Sequence, residues 1–283
     1  MKLVLSRKGF DSGSGGCPSP ILPDGRMLSL PIPDPDSPAC YSDLSWGEVN
    51  VGELVNAVTK GKVAAGSRAH VDPDVRVASL RREAGWKPLF GQVDAAQGHL
   101  RNQGVGIGDL FLFFGLFRRL TRPAGRWVWE PGSRPLHVIW GWLQIGEVVP
   151  VDTCPADALP WARSHPHFHR PPSTSNTLYV AKDKLELPGI EVDSPGAGVF
   201  PTFSEALQLT DPSGRLTSDW IVPEWMAPRA GRPSLTYHGN PDKWSPTGNR
   251  EVRLKSVGRG QEFVLDTSHY PEAADWLRTL LST

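Results

Sequence analysis

The sequence has few cysteines, no net charge and no long apolar run. Its three cysteines, Cys17, Cys40 and Cys154, are widely spaced. This spacing excludes a zinc pattern and a disulfide framework and predicts a reducing compartment. Lysine plus arginine and aspartate plus glutamate both number 30, so any anion site must be local. The longest apolar run, 110–117, is too short to span a bilayer, and the N-terminus lacks a signal peptide's apolar core. We expect a cytoplasmic protein with no membrane partner.

Several motifs that identify nucleotide enzymes are also missing. The sequence contains no G-x-x-x-x-G-K-[ST] phosphate loop and no G-x-G-x-x-G fingerprint, so no standard nucleotide-binding class applies. It contains no G-x-S-x-G nucleophile elbow and no H-x-E…P-C-x-x-C deaminase pattern. Catalytic residues therefore stay unassigned.

What the chain does have is glycine, proline and tryptophan. Its 283 residues include 29 glycines and 28 prolines, which predict many turns and long loops, and 11 tryptophans, which disordered chains lack. The length suits one large domain or two small ones, and we predict a single domain over 1–283. The fold class predicted is α+β and β-rich, with a few helices and long loops.

Three helices are predicted. The clearest covers 45–61, where Ser45 and Glu48 match a capping box ahead of an apolar stripe. A shorter helix is predicted over 93–104 and a terminal one over 271–282.

Strands are predicted where apolar residues alternate or run together. Residues 23–25 supply the turn of a β-hairpin, and Gly141 is expected at a bulge or bend of a long strand. The predicted strands cover 2–6, 110–117, 134–149, 177–181, 206–210, 252–257 and 262–266.

The loop after the first strand, LSRKGFDSGSGGCPSPI, is polar and rich in glycine. Arg7 and Lys8 can bind a phosphate, and the glycines let backbone N–H groups approach an anion. The alternative is a polar turn in which Arg7 pairs with Asp11. All three residues are predicted to bind a ligand.

A second cationic segment is RRLTRPAGRWVW. Arginine forks fit phosphates and exposed indoles stack on bases; the alternative is a hairpin tip with solvated arginines. The residues predicted to contact a nucleic-acid backbone are Arg118, Arg119, Arg122 and Arg126.

Histidines cluster at SHPHFHR. On an extended segment His165, His167 and His169 would share one face and could converge on a metal. Pro166 interrupts strand geometry, however, and no carboxylate is nearby, so no metal and no cofactor are assigned. His165 and His167 are predicted to contact a ligand, with a structural loop as the alternative.

The segment HVDPDV brings His70, Asp72 and Asp74 together. H-x-D matches one arm of a non-haem iron facial triad, whose third ligand could be His167 or His238. Asp-Pro is also an ordinary turn starter, and the turn is the interpretation we favour.

Two further loops concentrate polar and aromatic residues. TYHGNPDKW and GRGQEF offer rings that can stack on a base and side chains that can read base edges. Hydrogen bonds that anchor the loops are the alternative. The predicted ligand-binding residues here are Tyr237, His238, Trp244, Arg259, Gln261 and Glu262.

The chain resembles known families in two ways. GIGDLFLFFG followed by HVIWGWLQIGEVV resembles the PUA-like superfamily with its EVE and ASCH branches, which implies a bent β-barrel core over roughly 86–210 with both terminal segments packed on it. The whole chain, from SRKGFDS through HPHF and TYHGNPDKW to GRGQEFVLD, is similar to the bacterial nucleotide modification associated domain family, third type. That resemblance implies an association with nucleotide or DNA modification and no defined reaction.

Three functions remain open. The preferred hypothesis is a protein that recognises a modified base or nucleotide, with DNA or a nucleotide as its partner. The second is an enzyme acting on a nucleotide, centred on Asp72, Asp74, His167, His238 or Glu262. The third is a scaffold that binds other proteins of a modification system.

Overall fold

The architecture is α+β and dominated by strands in this computed structural model, which describes residues 1–155, 157–189, 192–258 and 260–282. The helices are α1 (Val51–Val58), α2 (Asp94–Asn102) and α3 (Glu272–Leu281). The strands are β1 (Lys2–Arg7), β2 (Ser19–Ile21), β3 (Ile32–Pro33), β4 (Ser45–Trp46), β5 (Val49–Asn50), β6 (Ala69–His70), β7 (Leu89–Gln92), β8 (Leu110–Thr121), β9 (Val128–Trp129), β10 (Leu136–Pro150), β11 (Thr177–Ala181), β12 (Ala197–Val199), β13 (Asp219–Pro223), β14 (Trp244–Gly248), β15 (Glu251–Lys255) and β16 (Glu262–Asp266).

The first and last strands lie side by side in the main sheet. β1 pairs in parallel with β8, Leu3 opposite Leu110, and antiparallel with β16, Ser6 opposite Glu262. The first five residues of β8 are all apolar and buried, as expected of a strand covered on both faces. Strands β1, β8 and β16 therefore form the core of the fold from residues that are distant in sequence.

The main sheet has two open ends among the described residues. Its strand order is β16-β1-β8-β10-β11-β7, with β2 and β9 on β8 and β12 on β10. A second sheet has the order β13-β15-β14. Because the path does not close, the bent barrel that the PUA-like resemblance implies is not confirmed, whereas the α+β, β-rich class is.

The predicted irregularity at Gly141 is confirmed. The register between β10 and β8 shifts between Ile139 and Gly141, the mark of a bulge. A Cβ at Gly141 would lie 2.8 Å from the carbonyl oxygen of Gly198 on β12. The glycine thus lets a third strand approach β10 closely.

The helix predicted over 45–61 is shorter, and its capping box is wrong. Residues 45–50 form the hairpin of β4 and β5, whose turn includes Gly47 with a φ of 60°. α1 begins only at Val51, and the Oδ1 of Asn50 accepts a hydrogen bond from the Glu53 N–H at 3.0 Å. Asn50, and not Ser45, is therefore the N-cap of this helix.

The strand predicted over 206–210 is also wrong. Glu205–Leu207 forms a 3₁₀ turn, and only single bridges follow it, from Gln208 to Val138 and from Thr210 to Trp220.

The turn at 23–25 is confirmed by the Gly25 N–H, which donates to the Leu22 carbonyl at 2.9 Å. No helix in the described ranges has the length and apolar character needed to cross a membrane.

Stability should depend on the protonation of His137, which lies on β10. Its Nδ1 accepts a hydrogen bond from the Trp220 indole at 2.9 Å, and burial, reinforced by the charge of Arg7, lowers the pKa of His137 to about 4. An unfolded chain binds a proton near its ordinary pKa of about 6.5, so the free energy of unfolding should fall as the pH falls between these values.

We expect this loss to be about 2 kcal/mol larger in the wild type than in His137→Asn between about pH 7 and pH 5. Urea denaturation at both pH values measures it, since asparagine keeps an acceptor and does not titrate. Equal pH dependence in the two proteins would show that His137 is not buried as a neutral acceptor.

Candidate functional site

The loop after β1 connects β1 to β2, and both strands pair with β8. β1 runs beside Leu110–Phe114 of β8, and β2 resumes beside Phe117–Arg119. Between them Phe10 is fully buried against Gly15, where a Cβ would lie 2.4 Å from the Phe10 ring. Local packing therefore shapes this loop and holds its polar residues at the end of β1.

These polar residues open onto a cavity of about 500 Å³ at the end of the main sheet. Five separate segments singled out in the sequence contribute to its wall, among them HVDPDV through His70 and Asp72. The predicted ligand-binding residues that line it are Arg7, Lys8, Asp11, His167, Tyr237, Gln261 and Glu262. The first turn of α2 and residues of β7 complete the wall.

A buried polar network lies on one side of the cavity. The Lys8 Nζ donates to Glu262 Oε1 at 2.8 Å, and Gln92 Nε2 donates to the same oxygen at 2.7 Å. Glu262 is 1% exposed, and its Oε2 has no hydrogen-bond partner within the described part of the chain. A buried acceptor without a partner costs about 1–3 kcal/mol, so this oxygen favours an N–H or O–H donor from a water molecule or a ligand.

An exposed aromatic ring lies on another side. Tyr237 is 51% exposed, and its ring lies 4.8 Å from that of His99, tilted by 33°. Its φ of 66° is unusual for a bulky residue and marks a constrained backbone. Tyr237 thus contributes a half-exposed aromatic ring to the cavity wall.

The third side of the cavity contains two histidines and an aspartate. The Nε2 atoms of His70 and His167 each lie 3.7 Å from Asp72 Oδ2. One ligand atom from each of these residues lies within 4.8 Å of the others, a spacing that could hold a metal ion. His165 lies behind them, its Nε2 3.3 Å from Asp72 Oδ1.

The other atom of each of these side chains is hydrogen-bonded. His70 Nδ1 lies 2.6 Å from Asp34 Oδ2, and His167 Nδ1 lies 2.6 Å from Asn176 Oδ1. The N–H of Gly91 donates to Asp72 Oδ1 at 2.7 Å. The three side chains are therefore fixed in orientation.

Protonation differs across this cluster. Burial opposes the charge on His70, but the hydrogen bond to Asp34 and the nearby carboxylate of Asp72 outweigh it and raise the pKa of His70 to about 9. Burial lowers the pKa of His167 to about 4. Burial of Asp72 is outweighed by the neighbouring imidazoles of His165 and His70, which hold its pKa well below the usual range. Asp72 is thus an ionised carboxylate between two imidazoles.

Other predicted residues lie away from the cavity. His238 is fully buried, and its Nε2 accepts a hydrogen bond from the Val257 N–H at 3.2 Å. Trp244 donates to the His238 carbonyl at 2.8 Å, so both residues anchor a loop. His169 contacts the Arg163 carbonyl instead of joining the other histidines. Arg259 lies outside the described residues.

Asp74 belongs to a separate ion pair. Its two carboxylate oxygens accept hydrogen bonds from the Arg82 guanidinium, both at 2.6 Å. This bidentate pair makes Asp74 a structural residue, so of the two aspartates in HVDPDV only Asp72 joins the histidine cluster.

The arginine-rich segment forms the hairpin of β8 and β9. Arg118 lies over the ring of Trp129 and Arg122 over that of Trp127. Arg119 lies over Phe203, and Arg126 is exposed. The tryptophans pack partly against the core, so the arginines cover them, and this hairpin contributes no residue to the cavity wall.

Sequence reasoning missed the residues that orient the cluster. Gly91, Asp34 and Asn176 come from three segments, and no local motif connects them. The available signal was the H-x-D spacing at His70, which we interpreted as a turn.

Fold and site together define an α+β protein with a polar cavity beside its first and last strands. The chain belongs to the nucleotide modification associated domain 3 family, whose model matches residues 2–266. The family name associates the chain with nucleotide modification and specifies no reaction. No curated protein and no solved structure was found to match the chain.

Lys8 and Glu262 should stabilise the folded protein only when both are present. Lys8→Met leaves a buried carboxylate without its cation, a change that typically costs about 3–5 kcal/mol. We expect Lys8→Met with Glu262→Gln to be more stable than Lys8→Met alone, because the double variant removes the unpaired charge. Urea unfolding of the wild type, both single variants and the double variant measures the coupling. Additive losses would contradict a buried, coupled pair.

Proposed function

We propose that the cavity binds a nucleotide or a nucleobase, free or within DNA, and that the protein recognises a modified base there. One observation carries this proposal: residues predicted from separate loops to bind a ligand line a single cavity of about 500 Å³. This volume lies within the range of small-molecule sites. The resemblance of 86–210 to PUA-like proteins, which often accommodate a base in a pocket, supports the same interpretation by analogy.

The cavity offers the three kinds of contact that a nucleotide requires. Tyr237 can stack on a base, and Glu262 Oε2 can accept a hydrogen bond from a base amino or imino group. Arg7 lines the same cavity as the first turn of α2, and a helix N-terminus favours an anion. A phosphate is thus expected near α2 and the base near Tyr237.

An enzyme acting on such a ligand is the second candidate function. The observation in its favour is the cluster of His70, Asp72 and His167 in the same wall. This cluster and the Glu262 network share the cavity, so a bound nucleotide would contact both.

Replacing Tyr237 should weaken nucleotide binding with little effect on folding. Stacking contributes about 1–3 kcal/mol per base, and the Tyr237 ring is half exposed, so Tyr237→Ala should raise the Kd about tenfold or more. Isothermal titration with the four deoxynucleoside monophosphates and 5-methyl-dCMP measures this change.

Arg126→Ala is the matched control, since Arg126 is exposed on the β8–β9 hairpin away from the cavity. Arg126→Ala should bind monophosphates like the wild type. If it binds short duplex DNA more weakly than the wild type and with a smaller salt dependence, the DNA backbone contacts the hairpin. Equal affinity of Tyr237→Ala and wild type, or no binding of any monophosphate by the wild type, would overturn the proposal.

A further inference from the structure

Three ligand atoms from distant segments point toward one another without being bonded. The separation of 3.7 Å between each imidazole Nε2 and Asp72 Oδ2 exceeds a hydrogen bond. Ligand atoms around one metal ion, with bonds of about 2.0–2.2 Å, lie about 3–3.5 Å apart. Because the three ligand atoms lie within 4.8 Å of one another, a movement of about 1 Å in the imidazoles would bring them to this spacing.

The atoms not facing this point are held by other partners. Asp34 and Asn176 fix the Nδ1 side of the two imidazoles, each at 2.6 Å. This is the arrangement of metal-binding histidines, whose second nitrogen donates to a carboxylate or carbonyl and thereby fixes the tautomer. With Nδ1 held in this way, both imidazoles direct Nε2 toward Asp72 Oδ2.

Gly91 makes room for the cluster. A Cβ at this position would lie 2.3 Å from Cδ2 of the His167 ring, so no other residue fits without moving the imidazole. The Gly91 N–H also holds Asp72 Oδ1, which leaves Oδ2 directed at the histidines. One residue of β7 thus positions two of the three ligands.

We infer that His70, Asp72 and His167 bind one divalent transition-metal ion through the two Nε2 atoms and a carboxylate oxygen. Two imidazoles and one carboxylate suit Fe²⁺, Mn²⁺, Co²⁺ or Zn²⁺ better than Ca²⁺ or Mg²⁺, which prefer all-oxygen sites. Three protein ligands leave coordination positions open, and these face the cavity. The ion therefore lies where a bound nucleotide or water can reach it.

The experiment is a metal titration without any nucleotide, so its outcome is independent of the proposed ligand. Wild-type protein stripped with a chelator should bind about one equivalent of Co²⁺, with visible absorption bands and a higher thermal midpoint. Zn²⁺ should compete for the same site. His167→Gln and Asp72→Asn should lose the bands and most of the thermal shift.

His169→Gln is the matched control, because His169 is in the same turn but outside the cluster. Asp34→Asn keeps every ligand and still offers an acceptor; it should fold and weaken Co²⁺ binding about tenfold. Circular dichroism of the metal-free variants checks that they fold. Absence of stoichiometric binding of Mn²⁺, Fe²⁺, Co²⁺ and Zn²⁺ by the wild type, or unchanged binding by His167→Gln and Asp34→Asn, would overturn the inference.

Discussion

The position of β1 between β8 and β16 is the constraint on which the cavity depends. The pairing of Ser6 with Glu262 brings the loop after the first strand next to the start of the last strand. Lys8, two residues beyond Ser6, then reaches the carboxylate of Glu262 at 2.8 Å. Because β8 holds β1 from the other side through a run of buried apolar residues, this register is fixed by the core and not by the polar residues.

The buried charged groups beside the cavity have partners. Lys8 lies over the ring of Phe90, which packs among the phenylalanines of β8, and its charge is matched by Glu262. Asp72 is similarly matched by imidazoles. Such groups are costly to desolvate, and pairing offsets that cost only partly. The carboxylate oxygen of Glu262 has no partner in the described part of the chain, and three ligand atoms converge at the histidine cluster. Both features are expected of a protein that binds a ligand and an ion in this cavity.

The elements that local patterns dominate could be predicted from the sequence. β1, β8, the bulge at Gly141 and α2 follow from apolar runs, glycine positions and helical spacing. The capping box at Ser45 failed because Gly47 allowed a tight hairpin and Asn50 offered a second cap, and the open sheet followed from strand pairings that no local pattern encodes.

For the site, Tyr237 and Glu262 were selected because loops rich in polar and aromatic residues often bind ligands, whereas Asp34, Gly91 and Asn176 act only through contacts across the fold.

Hydrogen exchange followed by mass spectrometry, with and without a deoxynucleoside monophosphate at saturation, shows whether the cavity is the binding site. A nucleotide in the cavity should slow exchange in 7–11, 89–97 and 260–262 and leave the β8–β9 hairpin unchanged. Slower exchange confined to that hairpin, or none in the segments lining the cavity, would contradict binding in the cavity.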